Sequence, residues 1–170
     1  MTEDKLKIVV FGAFGAGKTT LIKTLDPQSK HVEADCAGGS TTIALDFGKV
    51  EVNGRHVYLF GTPGQERFEF AREVIARGMD GAILLADATS PLDEFTRHLY
   101  DSLNRAQIPF VVMINKCEVV GAQPDTLRKH LSGVPVHTIS ARELRRSFDA
   151  LCTFVATLPP GHGHVHHNLS

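Results

Sequence analysis

The sequence predicts an α/β fold: a mixed, mostly parallel sheet of six strands flanked by about five helices. Three observations predict it. Apolar runs alternate with helix-patterned segments along the chain, as in strands joined by helical crossovers. Asn53-Gly54 separates two strand-like runs, and a type I′ turn needs positive φ at both positions, so one pair of strands forms an antiparallel hairpin. A glycine-rich stretch, Gly12 to Thr19, stands between the first apolar run and the first helical one.

The elements follow in order. Strands are expected at Lys7–Gly12, Thr42–Val52, Arg55–Gly61, Gly81–Asp87, Phe110–Asn115 and Val134–Ile139. Helices are expected at Lys18–Leu25, Phe70–Arg77, Leu92–Arg105, Asp125–Leu131 and Arg142–Thr157. Ser90-Pro91 before the third helix fits an N-cap followed by proline in the first turn. Asp46-Phe47-Gly48 belongs to the second strand, since its hairpin context is wrong for a kinase metal motif. Asp26–Ser40 is polar and glycine-containing, as a mobile loop should be. Pro159-Pro160-Gly161 stops the last helix, leaving one domain over residues 1–158 and a disordered tail, 159–170. The tail histidines His162, His164, His166 and His167 lack a cysteine or carboxylate to complete a metal site.

Composition narrows the function classes. At 170 residues the chain fits one domain with a substantial core, and 42% hydrophobic with 22% charged residues is ordinary for a globular protein. A net charge of −1 gives no reason to expect nucleic acid as a non-specific partner. Three widely spaced cysteines indicate free thiols in a reducing compartment. No signal peptide or membrane-length apolar stretch is present, and a cytoplasmic location is expected. The sequence ends without a prenylation cysteine, and Thr2 replaces the glycine that N-myristoylation needs. No direct membrane anchor is therefore expected.

Gly12 to Thr19 reads GAFGAGKT, the spacing of a phosphate-binding loop. Its glycines let backbone N–H groups close around phosphate oxygens, and the following helix adds its positive end. Phe14, Gly15, Ala16, Gly17, Lys18, Thr19 and Thr20 are the expected nucleotide contacts. Lys18 would neutralise β- and γ-phosphate charge, and the Thr19 hydroxyl would ligate Mg²⁺.

Downstream motifs resemble those of the small GTPase superfamily over about residues 5–157, most nearly its prokaryotic Mgl-type and conservon-type branch. The resemblance implies a six-stranded mixed sheet with nucleotide at the carboxyl ends of the strands. Gly61-Thr62-Pro63-Gly64-Gln65 lies where the family has Asp-x-x-Gly-Gln. It implies that Gly64 contacts a γ-phosphate and that Gln65 orients the attacking water; the metal-supporting aspartate is replaced by Gly61. Thr42, with Thr41 as runner-up, resembles the switch threonine that completes the Mg²⁺ shell when a γ-phosphate is present. Asn115-Lys116-Cys117-Glu118 stands for Asn-Lys-x-Asp, implying that Asn115, Lys116 and Glu118 read the base, with guanine preferred. Ser140-Ala141-Arg142 resembles the Ser-Ala-Lys element that contacts the base through backbone. The implied ligands are GTP or GDP with Mg²⁺, and the implied partners a roadblock-type regulator and an effector.

Two departures bear on rate. Phe14 stands where Ras-like members have glycine and obstructs an arginine finger, which is worth on the order of 10³–10⁵ in rate. Slow turnover is therefore expected, with Arg67 and Arg72 as candidate fingers in cis and Asp87 as a candidate substitute for the missing aspartate. A Mg²⁺-dependent GTPase switch leads. A nucleotide-holding scaffold without hydrolysis and a small-molecule kinase are the alternatives.

Overall fold

A computed structural model describes residues 4–36 and 41–161 of the chain, the side chains of 34–36 and 41–44 excepted. Seven strands form one sheet: β1 (Lys5–Gly12), β2 (Lys30–Cys36), β3 (Thr41–Val52), β4 (Arg55–Gly61), β5 (Gly81–Asp87), β6 (Phe110–Asn115) and β7 (Val136–Thr138). Their order across the sheet is β2-β3-β4-β1-β5-β6-β7. The β2–β3 and β3–β4 pairs are antiparallel and the remaining pairs parallel. The helices are α1 (Lys18–Leu25), α2 (Glu69–Ala76), α3 (Glu94–Ala106), α4 (Pro124–His130) and α5 (Leu144–Val155).

The interiors of the central strands β1, β5 and β6 are runs of apolar residues because both faces are covered. In β1, Leu6, Ile8 and Val10 join a core with α1 and α5, while Val9 and Phe11 join a second core with α3 and α4. All five are at most 5% exposed. Asn53 and Gly54 take φ of 51° and 79°, as the predicted turn between β3 and β4 requires.

The sheet has seven strands rather than the six expected. The extra one, β2, lies inside Asp26–Ser40, which reads as loop. Its Lys30, His31, Val32 and Glu33 are all exposed, so no buried alternation marks it. Backbone pairing to β3, from Lys30 opposite Phe47 to Cys36 opposite Thr41, holds it at the sheet edge. The cap of α3 also differs from Ser90-Pro91: Asp93 is the N-cap, its carboxylate accepting from the Thr96 amide at 2.6 Å. At the other end of the chain, Arg55 donates to the carbonyls of Val155, Leu158 and Pro159. Residues 162–170, most of the expected tail, lie outside the described residues.

Candidate functional site

A cleft of about 670 Å³ opens at the carboxyl ends of the central strands, lined by the phosphate loop, the segment after β4 and the loops after β6 and β7. Ligands of open α/β sheets bind at such strand ends.

The loop between β1 and α1 owes its shape to glycine. Gly15 and Gly17 take φ of 82° and 106°, conformations that side chains disfavour. A Cβ on Gly17 would also lie 2.4 Å from Asn115 Nδ2. Lys18 is 8% exposed, and its Nζ donates to the Gly12 and Ala13 carbonyls at 2.6 and 3.0 Å. Burial lowers its pKa to about 8; the nearby Asp46 charge opposes that shift and Arg72 adds to it.

Asn115, 3% exposed at the end of β6, ties this loop to the one after β7. Its Nδ2 donates to the Ala16 carbonyl at 2.9 Å and its Oδ1 accepts from the Ala141 amide at 2.7 Å. Lys116 Nζ donates to the Gly15 carbonyl and to Asp87 Oδ2, both at 2.8 Å. Ser140 is buried, and its carbonyl accepts from Ser147 Oγ at 3.0 Å. Glu118 and Arg142 are exposed on the cleft wall beside Ala141. Four separated stretches of sequence therefore converge on one wall.

At the opposite wall the Gly64 carbonyl accepts from the Phe14 amide at 3.0 Å. A Cβ on Gly64 would come within 2.7 Å of Lys18 Nζ, so glycine alone permits this approach. Gln65 is exposed on the cleft wall, its Oε1 accepting from Arg67 Nε at 3.0 Å. Phe14 is 81% exposed at the loop tip.

Two candidates read from the sequence lie elsewhere. Arg72 is 6% exposed and turned inward: it donates to the Pro63, Gln65 and Glu66 carbonyls and stacks on Phe95. It braces the segment after β4 rather than reaching into the cleft. Asp87 accepts from Lys116 and from the Thr89 amide and hydroxyl. Burial alone would raise its pKa, but these hydrogen bonds outweigh it and hold the carboxyl below its usual range. Those bonds engage Asp87 at the loop after β6, away from Thr19.

The carboxylate beside Thr19 is Asp46, on β3. Its Oδ2 accepts from Thr19 Oγ1 at 2.7 Å, and its Oδ1 meets His31 Nδ1 at 2.8 Å. That second bond raises the pKa of His31. Sequence reasoning missed both residues. Thr41 and Thr42 lie in β3 opposite Cys36 and Asp35, and their side chains fall outside the described ones. Among the described residues no cluster of three or more His, Cys, Asp or Glu could hold a metal alone. A hydroxyl beside one carboxylate, next to a phosphate loop, suits Mg²⁺, which binds few protein oxygens and takes the rest from phosphate and water.

A family model described as the elongation factor Tu GTP-binding domain matches residues 3–154. The chain belongs to this family. An uncharacterized protein of Methanocaldococcus jannaschii is 36% identical over 119 residues, which span 70% of this chain and 75% of that protein. Translation initiation factor IF-2 of Pelotomaculum thermopropionicum is 32% identical over 151 residues, 89% of this chain but 15% of the factor. The G domain thus spans a small part of its translation-factor relatives. Two solved structures share the fold. Elongation factor SelB of Methanococcus maripaludis, bound to the GTP analogue GppNHp, superposes with a TM-score of 0.71 at 20% identity, covering 94% of this chain and 35% of that one. The G domain of the T. maritima FeoB iron transporter gives 0.69 at 22% identity, covering 89% and 97%. Among the described residues no helix is long and apolar enough to cross a membrane.

Proposed function

We propose that this G domain binds GTP and GDP with Mg²⁺ and acts as a nucleotide-dependent switch with slow hydrolysis. The observation that carries the reading is the contact between Gly64 and the phosphate loop. The Phe14 amide now donates to the Gly64 carbonyl, and Lys18 lies against Gly64. Terminal phosphate oxygens compete for the same amide and the same ammonium. Phosphate entry therefore displaces Gly64 and re-aims Gln65 behind it, an order change of the kind that γ-phosphate imposes on switch segments.

The remaining residues have separate tasks. Lys18 and the amides of Gly15 to Thr20 hold the phosphates, with Thr19 and Thr42 toward the metal. Bound Mg²⁺ would neutralise charge developing on the phosphate oxygens. Gln65, steadied by Arg67, orients the attacking water, and Arg72 keeps the backbone around Gln65 in place. Asn115 and Lys116 fix the loops, while Glu118 and the Ser140-Ala141-Arg142 backbone read guanine. The exposed Phe14 obstructs an inserted arginine, which favours slow turnover and an activator that moves the protein's own residues. A roadblock-type regulator and an effector, as in the Mgl-type branch, complete the proposed circuit. Gly61 favours a second reading, a scaffold that holds nucleotide without hydrolysing it.

Calorimetry with GTP, GDP and ATP, with and without Mg²⁺, tests the proposal alongside phosphate release. Guanine nucleotides are expected to bind with Mg²⁺ dependence. Lys18→Ala is expected to weaken them by about 3 kcal/mol, over a hundredfold in Kd, because it removes a buried charge from the phosphates. Binding without phosphate release selects the scaffold. Preference for ATP overturns the assignment of Glu118.

A further inference from the structure

Gly61 leaves one motif of this site without a carboxylate, and β3 brings another to the same point. Asp46 pairs with Gly61 across the antiparallel β3–β4 ladder, so both face the same side of the sheet. A Cβ built on Gly61 would lie 3.3 Å from the Asp46 Cβ and 3.5 Å from its Oδ2. The Asp46 side chain therefore occupies the space that a side chain at 61 would need. An acid at both positions would crowd two like charges together, which raises the cost of ionising either. One carboxylate fits there, from one strand or the other.

The surroundings of Asp46 match a metal-supporting group better than a simple cap. Its side chain is 14% exposed and lies on the cleft wall with Thr19, Lys18 and Gly64. One oxygen faces the phosphate-loop hydroxyl at 2.7 Å. The other is held at 2.8 Å by His31, as ligating carboxylates are commonly oriented by an outer hydrogen bond. We propose that Asp46 supplies the carboxylate that holds Mg²⁺ beside Thr19 when nucleotide is bound, replacing the acid that Gly61 lacks. The proposal rests on the nucleotide-switch reading above. It also removes the main ground for the scaffold, since the metal keeps a protein carboxylate.

The test measures metal affinity rather than turnover. The full chain is loaded with GDP, Mn²⁺ is titrated and followed by electron paramagnetic resonance, and release of fluorescent GDP is timed in excess Mg²⁺ and in EDTA. Asp46→Asn, nearly isosteric, is expected to weaken Mn²⁺ binding about tenfold to a hundredfold. Its release rate in EDTA serves as the internal reference. The double variant Asp46→Ala with Gly61→Asp moves the acid to the facing strand and is expected to recover most of the lost metal affinity; the Ile22 Cδ1 at 3.0 Å from the new Cβ is a flexible chain end. Unchanged Mn²⁺ affinity in Asp46→Asn overturns the proposal. Loss of GDP binding in EDTA as well assigns Asp46 a structural role and also overturns it. Wild-type protein that binds no GDP removes the switch reading, and this inference with it. Wild-type binding of GDP together with wild-type Mn²⁺ affinity in Asp46→Asn removes this inference alone.

Discussion

At the proposed base end of the cleft, buried Asn115 bonds the Ala16 carbonyl and the Ala141 amide; at the proposed metal end, Asp46 meets Thr19 and His31 in bonds open to solvent. The first arrangement joins the loops after β1, β6 and β7, all parallel strands, of which β1 and β6 are largely buried. The second hangs on β2 and β3 at the antiparallel edge, where β2 buries none of its described side chains. Low-dielectric bonds between fixed loops resist deformation, whereas exposed bonds on an edge are readily exchanged for water or phosphate. On the proposed reading, the base end stays in place while the metal end responds to what is bound.

The largest effect is expected where that contrast is broken outright. Asn115→Ala leaves the buried Ala16 carbonyl and Ala141 amide without their side-chain partner. At about 1–3 kcal/mol for each unsatisfied group, a loss of about 3 kcal/mol is expected in denaturant unfolding. GDP affinity falls with it, since the base and phosphate loops lose their common tie. Unfolding that shifts by less than about 0.5 kcal/mol would show that the loops hold themselves.

The same contrast decides what could be read from the sequence. The phosphate loop, Asn115-Lys116 and Ser140-Ala141 are short contiguous runs with recognisable spacing, so their convergence on one cleft was legible. Gly17 illustrates why: one residue answers both to a positive φ and to the approach of Asn115. Asp46 has no such neighbours, since its role depends on the residue opposite it on another strand. A signal nonetheless existed. The Asn53-Gly54 turn fixes the register, and Asp46 stands seven residues before Asn53 as Gly61 stands seven after Gly54. Extending the hairpin pairing outward from its turn would have placed Asp46 opposite Gly61. The strand β2 gave no comparable signal, because its described side chains are exposed and backbone pairing to β3 needs no apolar pattern. Arg72 was misplaced for another reason: its position on the segment after β4 is legible, but its inward turn depends on Phe95 of α3.

A smaller effect is expected at Arg72, which ties the segment after β4 to Phe95 of α3. Arg72→Met keeps the apolar stem over Phe95 and removes the donors to three carbonyls around Gln65. Hydrogen bonds to a charged group are worth about 1.5–3 kcal/mol, and partial exposure of these carbonyls puts the expected loss near the lower bound. The informative readout is where it falls. Amide exchange is expected to quicken between Thr62 and Glu69, with the amides near Asn115 unchanged. Faster exchange throughout the chain would mean that Arg72 supports the core rather than one wall of the cleft.

The smallest effect is expected at His31, and its size separates orientation from charge at the metal end. His31 is half exposed on the edge strand, so its bond to Asp46 competes with water. His31→Ala removes that hold yet leaves the Asp46 carboxylate facing Thr19. Mn²⁺ affinity of the GDP complex is expected to change by about twofold, against the tenfold or greater loss expected for Asp46→Asn. Equal losses in the two variants would mean that orientation by β2, not the carboxylate alone, makes the site. The edge strand would then be part of the metal site, and any partner that displaced β2 would release the ion.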